Sequence, residues 1–229
     1  MIISIHQPNY LPWMGFFDKI ARSDIFVIFD NVQFPRGKQH FGHRNLIKTD
    51  GEPKWLTVPL NGKSELKNFN EIEINHNGWN DNHLNLIKNF YRKSKYFNVY
   101  YGDLESILKV NHKTLSDLNS ALIKYFLNVM DIKTQVVFCS EICPNEVSGG
   151  DRIMYLLKKL NATKYISGTG PGSMRYINEQ EFKDNNIELI WQHYNHPKYT
   201  QLYGDFKPYM CILDLLFNEG TNSKNIILN

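Results

Sequence analysis

The chain has 229 residues, enough to bury the core of one sizeable domain. Hydrophobic residues at 42% and charged residues at 21% exclude a disordered or fibrous chain. A net charge of +3, with acidic and basic residues interleaved, excludes the strongly basic surface of a nucleic-acid binder.

Residues 1–7 (MIISIHQ) read as a buried strand. Residues 11–23 (LPWMGFFDKIARS) read as a helix, with Pro12 suited to its first turn. Residues 24–30 (DIFVIFD) form an apolar run closed by Asp30, the pattern of a strand covered on both faces of a parallel sheet. Strand, helix and strand in immediate succession make a βαβ unit. The stretch HFGHRNLIK, residues 40–48, then reads as a basic loop. Residues 54–60 (KWLTVPL) and 71–75 (EIEIN) read as strands. Residues 79–92 and 101–130 read as helices, the second with apolar residues recurring from Leu104 to Phe126. Strand 134–139, a helix that follows Ser148 and the glycines and carries Ile153, Leu156, Leu157 and Leu160 on one side, a strand from Lys164, a short helix 177–185, strand 187–194 and a final helix 209–219 closed by Gly220 complete the chain. The alternation predicts an α/β fold with a mainly parallel sheet flanked by helices, Rossmann-like, in a single domain over 1–229. The helical stretch 79–130 is expected to form a cap on it.

Three cysteines, Cys139, Cys143 and Cys211, are too few and too unevenly spaced for a disulfide framework or a zinc site, and point to a reducing compartment. No charged segment leads into an apolar one at the start, and no apolar run approaches the roughly 18 residues of a membrane span. A cytoplasmic protein without membrane contact is expected. The basic cluster at 88–95 (KNFYRKSK) reads as a solvated helix end.

In open α/β sheets, ligands bind beyond the carboxyl ends of the strands. Polar residues follow four apolar strands here: His6, Gln7, Asn9 and Tyr10; Asp30, Asn31 and Gln33; Ser167, Gly168, Thr169 and Gly170; His193, Asn195 and His196. If the strands are parallel, these clusters share one edge. The loop SGTGPGS, residues 167–173, offers backbone N–H groups and hydroxyls to a phosphate, although no Gly-Lys-Ser/Thr ends it. Arg44, Asn45 and Lys48 supply a guanidinium, an amide and an ammonium for a diphosphate. His193 and His196 precede Pro197 and lack a third ligand, so no metal is expected.

The segments IHQPNYLPWMGFFDKIARSDIFVIFDNVQF, RNLIK, WLTVPL, YISGTG and HPKYTQLYGDFKPYMCILDLLFNEG resemble, in this order, the WbqC-like family. The resemblance runs from residue 3 to about 220 and is thinnest over 79–140. It implies an enzyme of bacterial surface-polysaccharide (O-antigen) biosynthesis that transfers an aminoacyl group such as glycyl onto a nucleotide-linked amino sugar. The positions that match are His6, Gln7, Tyr10, Trp13, Asp30, Gln33, Arg44, Asn45, Lys48, Ser167, Gly168, His196, Tyr199, Gln201 and Asp214. A more distant likeness is to nucleotidyltransferases of the HxGH type. LPWMGFF keeps Gly15 but lacks their histidines, which argues against nucleotidyl transfer.

On this reading His6, with a near-neutral imidazole, is the expected general base, Asp30 orients it or the acceptor amine, and His196 is the alternative base. Gln7, Asn9, Gln33, Thr169, Tyr199 and Gln201 are expected to bind substrate, and Tyr10 and Trp13 to stack on base or sugar. The expected partners are a nucleotide sugar, an acyl or aminoacyl carrier protein and, for a dimer, a second copy of the chain. ATP or an acyl donor would supply the activated group. Two other functions fit the same residues: an enzyme that activates its substrate with a nucleoside triphosphate, and a non-catalytic binder of sugar nucleotide or carrier.

Overall fold

A computed structural model describes residues 1–35 and 40–229. Its strands are β1 (Ile2–His6), β2 (Ile25–Ile28), β3 (Arg44–Ile47), β4 (Lys54–Thr57), β5 (Gln135–Phe138), β6 (Lys164–Gly168) and β7 (Glu188–Gln192). Its helices are α1 (Met14–Ala21), α2 (Trp79–Tyr91), α3 (Phe97–Lys109), α4 (Leu115–Val129), α5 (Cys139–Ile142), α6 (Gly149–Lys159), α7 (Pro171–Met174), α8 (Glu179–Asp184), α9 (Ile212–Glu219) and α10 (Ser223–Leu228).

Five strands form one sheet in the order β5-β2-β1-β6-β7, and every neighbouring pair is parallel. Successive side chains of a strand point to opposite faces. Ile3, Ile5, Ile25 and Val27 therefore pack with Leu156 and Leu157 of α6 and Phe182 of α8. Phe26 and Ile28 turn the other way, into a larger cluster with Phe16 and Phe17 of α1, Leu122 and Phe126 of α4, and Leu215 and Leu216 of α9. Helices α2 and α3 feed Ile87, Tyr91 and Leu104 into that same cluster. From β1 the chain runs outward to β2 and β5, then returns across the sheet to β6 and β7. The two halves diverge between β1 and β6, the topological switch point where doubly wound sheets open a crevice.

Several sequence expectations need correction. RNLI, read as part of a basic loop, is strand β3, paired antiparallel with β4 from Arg44–Thr57 to Ile47–Lys54. Arg-Asn-Leu-Ile alternates in burial but not in polarity, so no period-2 pattern marks it among the surrounding charges. Residues 71–75 form no strand; they make isolated bridges, Leu60 with Ile74 and Glu73 with Thr114. Pro12 lies outside α1, whose N-cap is Trp13. The helix expected over 101–130 is two. It breaks where Val110 turns extended, and α4 restarts on a capping box in which Thr114 accepts from Asp117 N–H and Asp117 accepts from Thr114 N–H. The helix expected over 209–219 is α9, which starts only at Ile212 after the N-cap Cys211, with Tyr209 at φ 62°, and it is followed by a further helix, α10.

Losing the Thr114 hydroxyl leaves an N–H of the first turn unmatched. Thr114→Ala is expected to cost about 1 kcal/mol, read as a lower urea midpoint with an unchanged slope.

Candidate functional site

The pairing of β1 with β6 runs Ile2–Lys164, Ile3–Tyr165 and Ser4–Ile166, and stops there, while β6 continues beside β7 to Gly168. Past Ser4 the two central strands part. Main-chain direction shows what faces the gap. The Met1 carbonyl accepts from Thr163 and Lys164 on the β6 side, and the His6 carbonyl accepts from Phe29 on the β2 side. Alternation then turns the Ile5 carbonyl toward β6. Its partner is a side chain instead: Lys19 Nζ of α1 donates to it at 3.3 Å.

Lys19 is 2% exposed. Among the described residues no carboxylate lies within ion-pair distance of it. Burial lowers its pKa from 10.5 to about 7. His6 ends β1, half-buried, with its ring edge-on to Phe16 at a centroid distance of 5.0 Å. Its Nδ1–H donates to the Gln7 carbonyl at 2.8 Å, so the lone pair sits on Nε2. Burial, and after it the Lys19 charge, lower its pKa from 6.5 to about 3, against the weaker effect of the Gln7 carbonyl. The near-neutral imidazole expected from the sequence is thus displaced. In the free protein His6 is a neutral hydrogen-bond acceptor. Gln7 beside it and Gly168 across the gap are half-buried, and Thr169 is exposed.

The loop from Gln7 to Trp13 is pinned from several sides. Asn45 Nδ2 donates to the Leu11 carbonyl at 2.7 Å and to that of Tyr10 at 3.4 Å. Asn119 Nδ2 of α4 donates to the Pro8 carbonyl at 2.8 Å and the Gly42 carbonyl at 2.7 Å. Tyr10 N–H donates to Phe41 at 3.0 Å, and its hydroxyl meets His83 Nδ1 at 2.9 Å. Leu11 sits at φ 43°, a left-handed conformation that these bonds hold in place.

Many of the expected binding residues belong to such internal work. Tyr10 is fully buried and cannot stack on a substrate. Asn45 is 1% exposed, its amide spent on the loop and its oxygen accepting from Leu46 N–H at 2.8 Å. Asn9 is buried as well. Asp30 accepts from Ser140 N–H at 2.9 Å and from Ser140 Oγ at 2.6 Å, tying the end of β2 to the start of α5. It does not orient His6; the Gln7 carbonyl does. Arg44 lies flat on Trp55, 3.7 Å from the ring centre. Lys48 is buried and donates to the Asp205 carbonyl at 2.7 Å. Ser167 is 1% exposed, and its hydroxyl turns back onto the Gly168 carbonyl at 3.3 Å. Gln33 is exposed and bridges to Asn68.

His196 has both ring nitrogens occupied: Nδ1 donates to the Pro197 carbonyl at 3.1 Å and Nε2 accepts from Tyr209 N–H at 3.2 Å. It is therefore no free base. It stacks parallel to Trp13 at 6.4 Å, and Tyr194 and Tyr209 close on the same indole at 5.6 Å each. Trp13 remains partly exposed.

Tyr199 and Gln201 serve Asp214, which is fully buried in α9. Its Oδ2 accepts from both at 2.7 Å, and Oδ1 accepts from the Tyr91 hydroxyl at 3.0 Å. Burial raises its pKa, opposed by these bonds and by Lys48.

Sequence reasoning missed two residues that organise the edge. Lys19 is one. Arg152 of α6 is the other: buried, it donates to the carbonyls of Asn31, Asn145 and Val147 and so joins the loops after β2 and α5. Neither carries a motif, and along the chain each reads as an ordinary helix cation beside an aspartate, Asp18 or Asp151. The thiols are buried, and burial pushes Cys139 and Cys211 up to about 12, which makes them poor nucleophiles. Among the described residues no three His, Cys, Asp or Glu side chains converge as metal ligands, and no helix is long and apolar enough to cross a membrane.

A doubly wound parallel sheet, with His6 and Lys19 at its switch point, defines an α/β protein with a candidate site at the strand ends. The chain belongs to the WbqC-like protein family, whose model matches residues 7–226. It is 32% identical over 230 residues to the uncharacterized protein Rv1507c of Mycobacterium tuberculosis, covering 98% of this chain and 96% of that protein. No solved structure is a significant match.

Asn119→Ala would strand the Pro8 and Gly42 carbonyls, and is expected to cost about 2 kcal/mol in urea unfolding. Lys19 has a signature in pH. Between pH 7 and 10.5 the unfolded chain holds a proton that folded Lys19 has released, so this residue makes stability rise with pH across that window. Lys19→Met is expected to stabilise the protein at neutral pH and to remove that part of the rise, measured as unfolding midpoints at neutral and alkaline pH.

Proposed function

We propose that the protein is a transferase that places an acyl group, an aminoacyl group such as glycyl, on the amine of a nucleotide-activated sugar. The observation that carries this reading is the gap between β1 and β6, bordered by a neutral imidazole, a buried ammonium and the exposed residue Thr169. Such switch-point crevices suit nucleotide phosphates, and the whole-chain resemblance to the WbqC-like family supports the sugar. In the reaction the amine nitrogen attacks the acyl carbonyl carbon of an activated donor, a thioester or an adenylate. A C–N bond forms, the bond to the donor's leaving group breaks, and the proton lost from nitrogen passes through His6 Nε2 to that leaving group. Trp13, on the rim of the aromatic cluster, offers a face to the base or sugar. A carrier protein is the proposed route for the donor, in the cytoplasm.

A panel of UDP-, GDP- and dTDP-amino sugars, ATP with magnesium, and coenzyme A tests this by thermal unfolding. Saturation at about a hundred times the dissociation constant stabilises the fold by about 2.7 kcal/mol. One amino-sugar nucleotide is expected to shift the midpoint, and His6→Ala to lower turnover roughly a hundredfold without abolishing that shift. A response to ATP alone would replace this reading with the activating enzyme.

A further inference from the structure

Helix α1 is covered on all sides: every residue from Met14 to Ile20 is buried. A lysine there is costly, since a buried ammonium without a counter-charge is strongly disfavoured. A methionine would fill the same space without that cost. The position of the charge is therefore informative.

Nζ lies where the β1–β6 ladder would have continued, on the Ile5 carbonyl. An ammonium has three donors, and this bond, at 3.3 Å, is the one it makes among the described residues. The charged groups around it are engaged elsewhere. On α1 itself Asp18 binds Arg22 at 2.6 Å and accepts from Gln192 of β7 at 2.7 Å. Asp24, before β2, accepts from Ile2 N–H at 2.7 Å. Lys124 of α4 lies over the Phe138 ring, and Lys224 of α10 faces Asp131. Tyr194 faces Asp18 and Arg22. His6 is the titratable group that feels Lys19. On the same strand face as His6, two residues back, the Ser4 hydroxyl is fully buried and has no partner. Two polar groups beside the central strand, an ammonium and a hydroxyl, thus have bonding capacity in reserve. The way in passes His6, Gly168 and Thr169, none of them buried. At Gly168 a side chain would meet no atom closer than Ser173 Oγ at 3.6 Å, so the approach over β6 is open.

We propose that Lys19 is a substrate-binding residue: its ammonium receives an anionic phosphoryl oxygen lowered into the gap between β1 and β6, and that oxygen screens His6 from the lysine charge. A tetrahedral phosphoryl group fits the donor set, because its remaining oxygens can take the N–H and hydroxyl of Thr169 while one goes to Nζ. With the lysine charge matched, His6 takes up a proton more readily, so the base gains strength when substrate is in place. The proposal rests on the reading of this gap as the substrate site, and it names the group that anchors the substrate there.

Sulfate is the probe, since it is tetrahedral and stays a dianion from mildly acid to alkaline pH. Calorimetric titrations are run from acid to mildly alkaline pH at constant ionic strength, on the intact chain, Lys19→Met and Lys19→Arg. Sulfate is expected to bind the wild type and to weaken about tenfold per pH unit above about pH 7, as the ammonium loses its proton. Lys19→Met should lose binding at every pH while remaining folded. Lys19→Arg should bind with the pH dependence gone. The His6 ring signals should move on addition of sulfate in the wild type and stay still in Lys19→Met. No sulfate binding by the wild type, equal binding by folded Lys19→Met, or wild-type binding that ignores pH would overturn the proposal. Lys19-dependent sulfate binding with no response to any amino-sugar nucleotide would leave this anchor standing and remove the transferase reading. Undiminished amino-sugar turnover by Lys19→Met would do the reverse.

Discussion

The turn that takes the chain from β1 into α1 is held against the preference of its own residues. Leu11, a branched residue, sits at φ 43°, a region that L side chains occupy at a cost of about 1–2 kcal/mol. Side chains of β3 and α4 and the main chain at Phe41 offset that cost by binding the carbonyls and N–H of the turn. The geometry of the strand-end edge follows from it. The turn sets where α1 begins, and so which of its residues face the sheet. It also leaves the last residue of β1 beside a gap, with its imidazole held by the next carbonyl along the chain.

A second centre lies in α9, whose start is bonded to the same turn through Ile212 N–H and the Pro12 carbonyl at 2.9 Å. The segment after β7 has no regular structure, yet Tyr199 and Gln201 tie it to the Asp214 carboxylate, which also accepts from Tyr91 of α2, and Thr200 N–H ties it to Glu219. Such a network is stable only when complete, because each donor or acceptor left over is stranded away from water. The consequence for the sheet edge is indirect. The same segment carries His196 and Tyr209, which pack on Trp13 at the start of α1.

The parallel order of the sheet was legible because a strand buried on both faces leaves an unbroken apolar run, as IFVI does, and because helices separate those runs. Strand β3 was hidden by its charges, and the break before α4 by the absence of glycine or proline; the Thr114 and Asp117 pair that starts α4 was its one mark. The strand-end rule, with the parallel order, puts His6, Gln7, Gly168 and Thr169 at one edge of the sheet. It could not separate residues that reach into the gap from residues that hold the loops around it. Asn45, Tyr10, Asp30, Tyr199 and Gln201 looked like ligand contacts because a polar residue in an unusual loop has the same appearance in either role. What divides them is burial and the address of each hydrogen bond, which spacing along a chain does not record. Lys19 was illegible for the opposite reason. A lysine in a short helix reads as solvated until the helix is known to be covered all round.

The clamp on the first turn has one further property. Asn45 and Asn119 bind main-chain carbonyls, those of Pro8, Tyr10, Leu11 and Gly42. These acceptors exist whatever side chains the turn carries. The path of the turn is therefore set from far along the chain, 34 residues on from Leu11 at Asn45 and 111 on from Pro8 at Asn119. A change at either asparagine is felt at the strand-end edge, while the buried side chains of Asn9, Tyr10 and Leu11 tie the turn itself to the core.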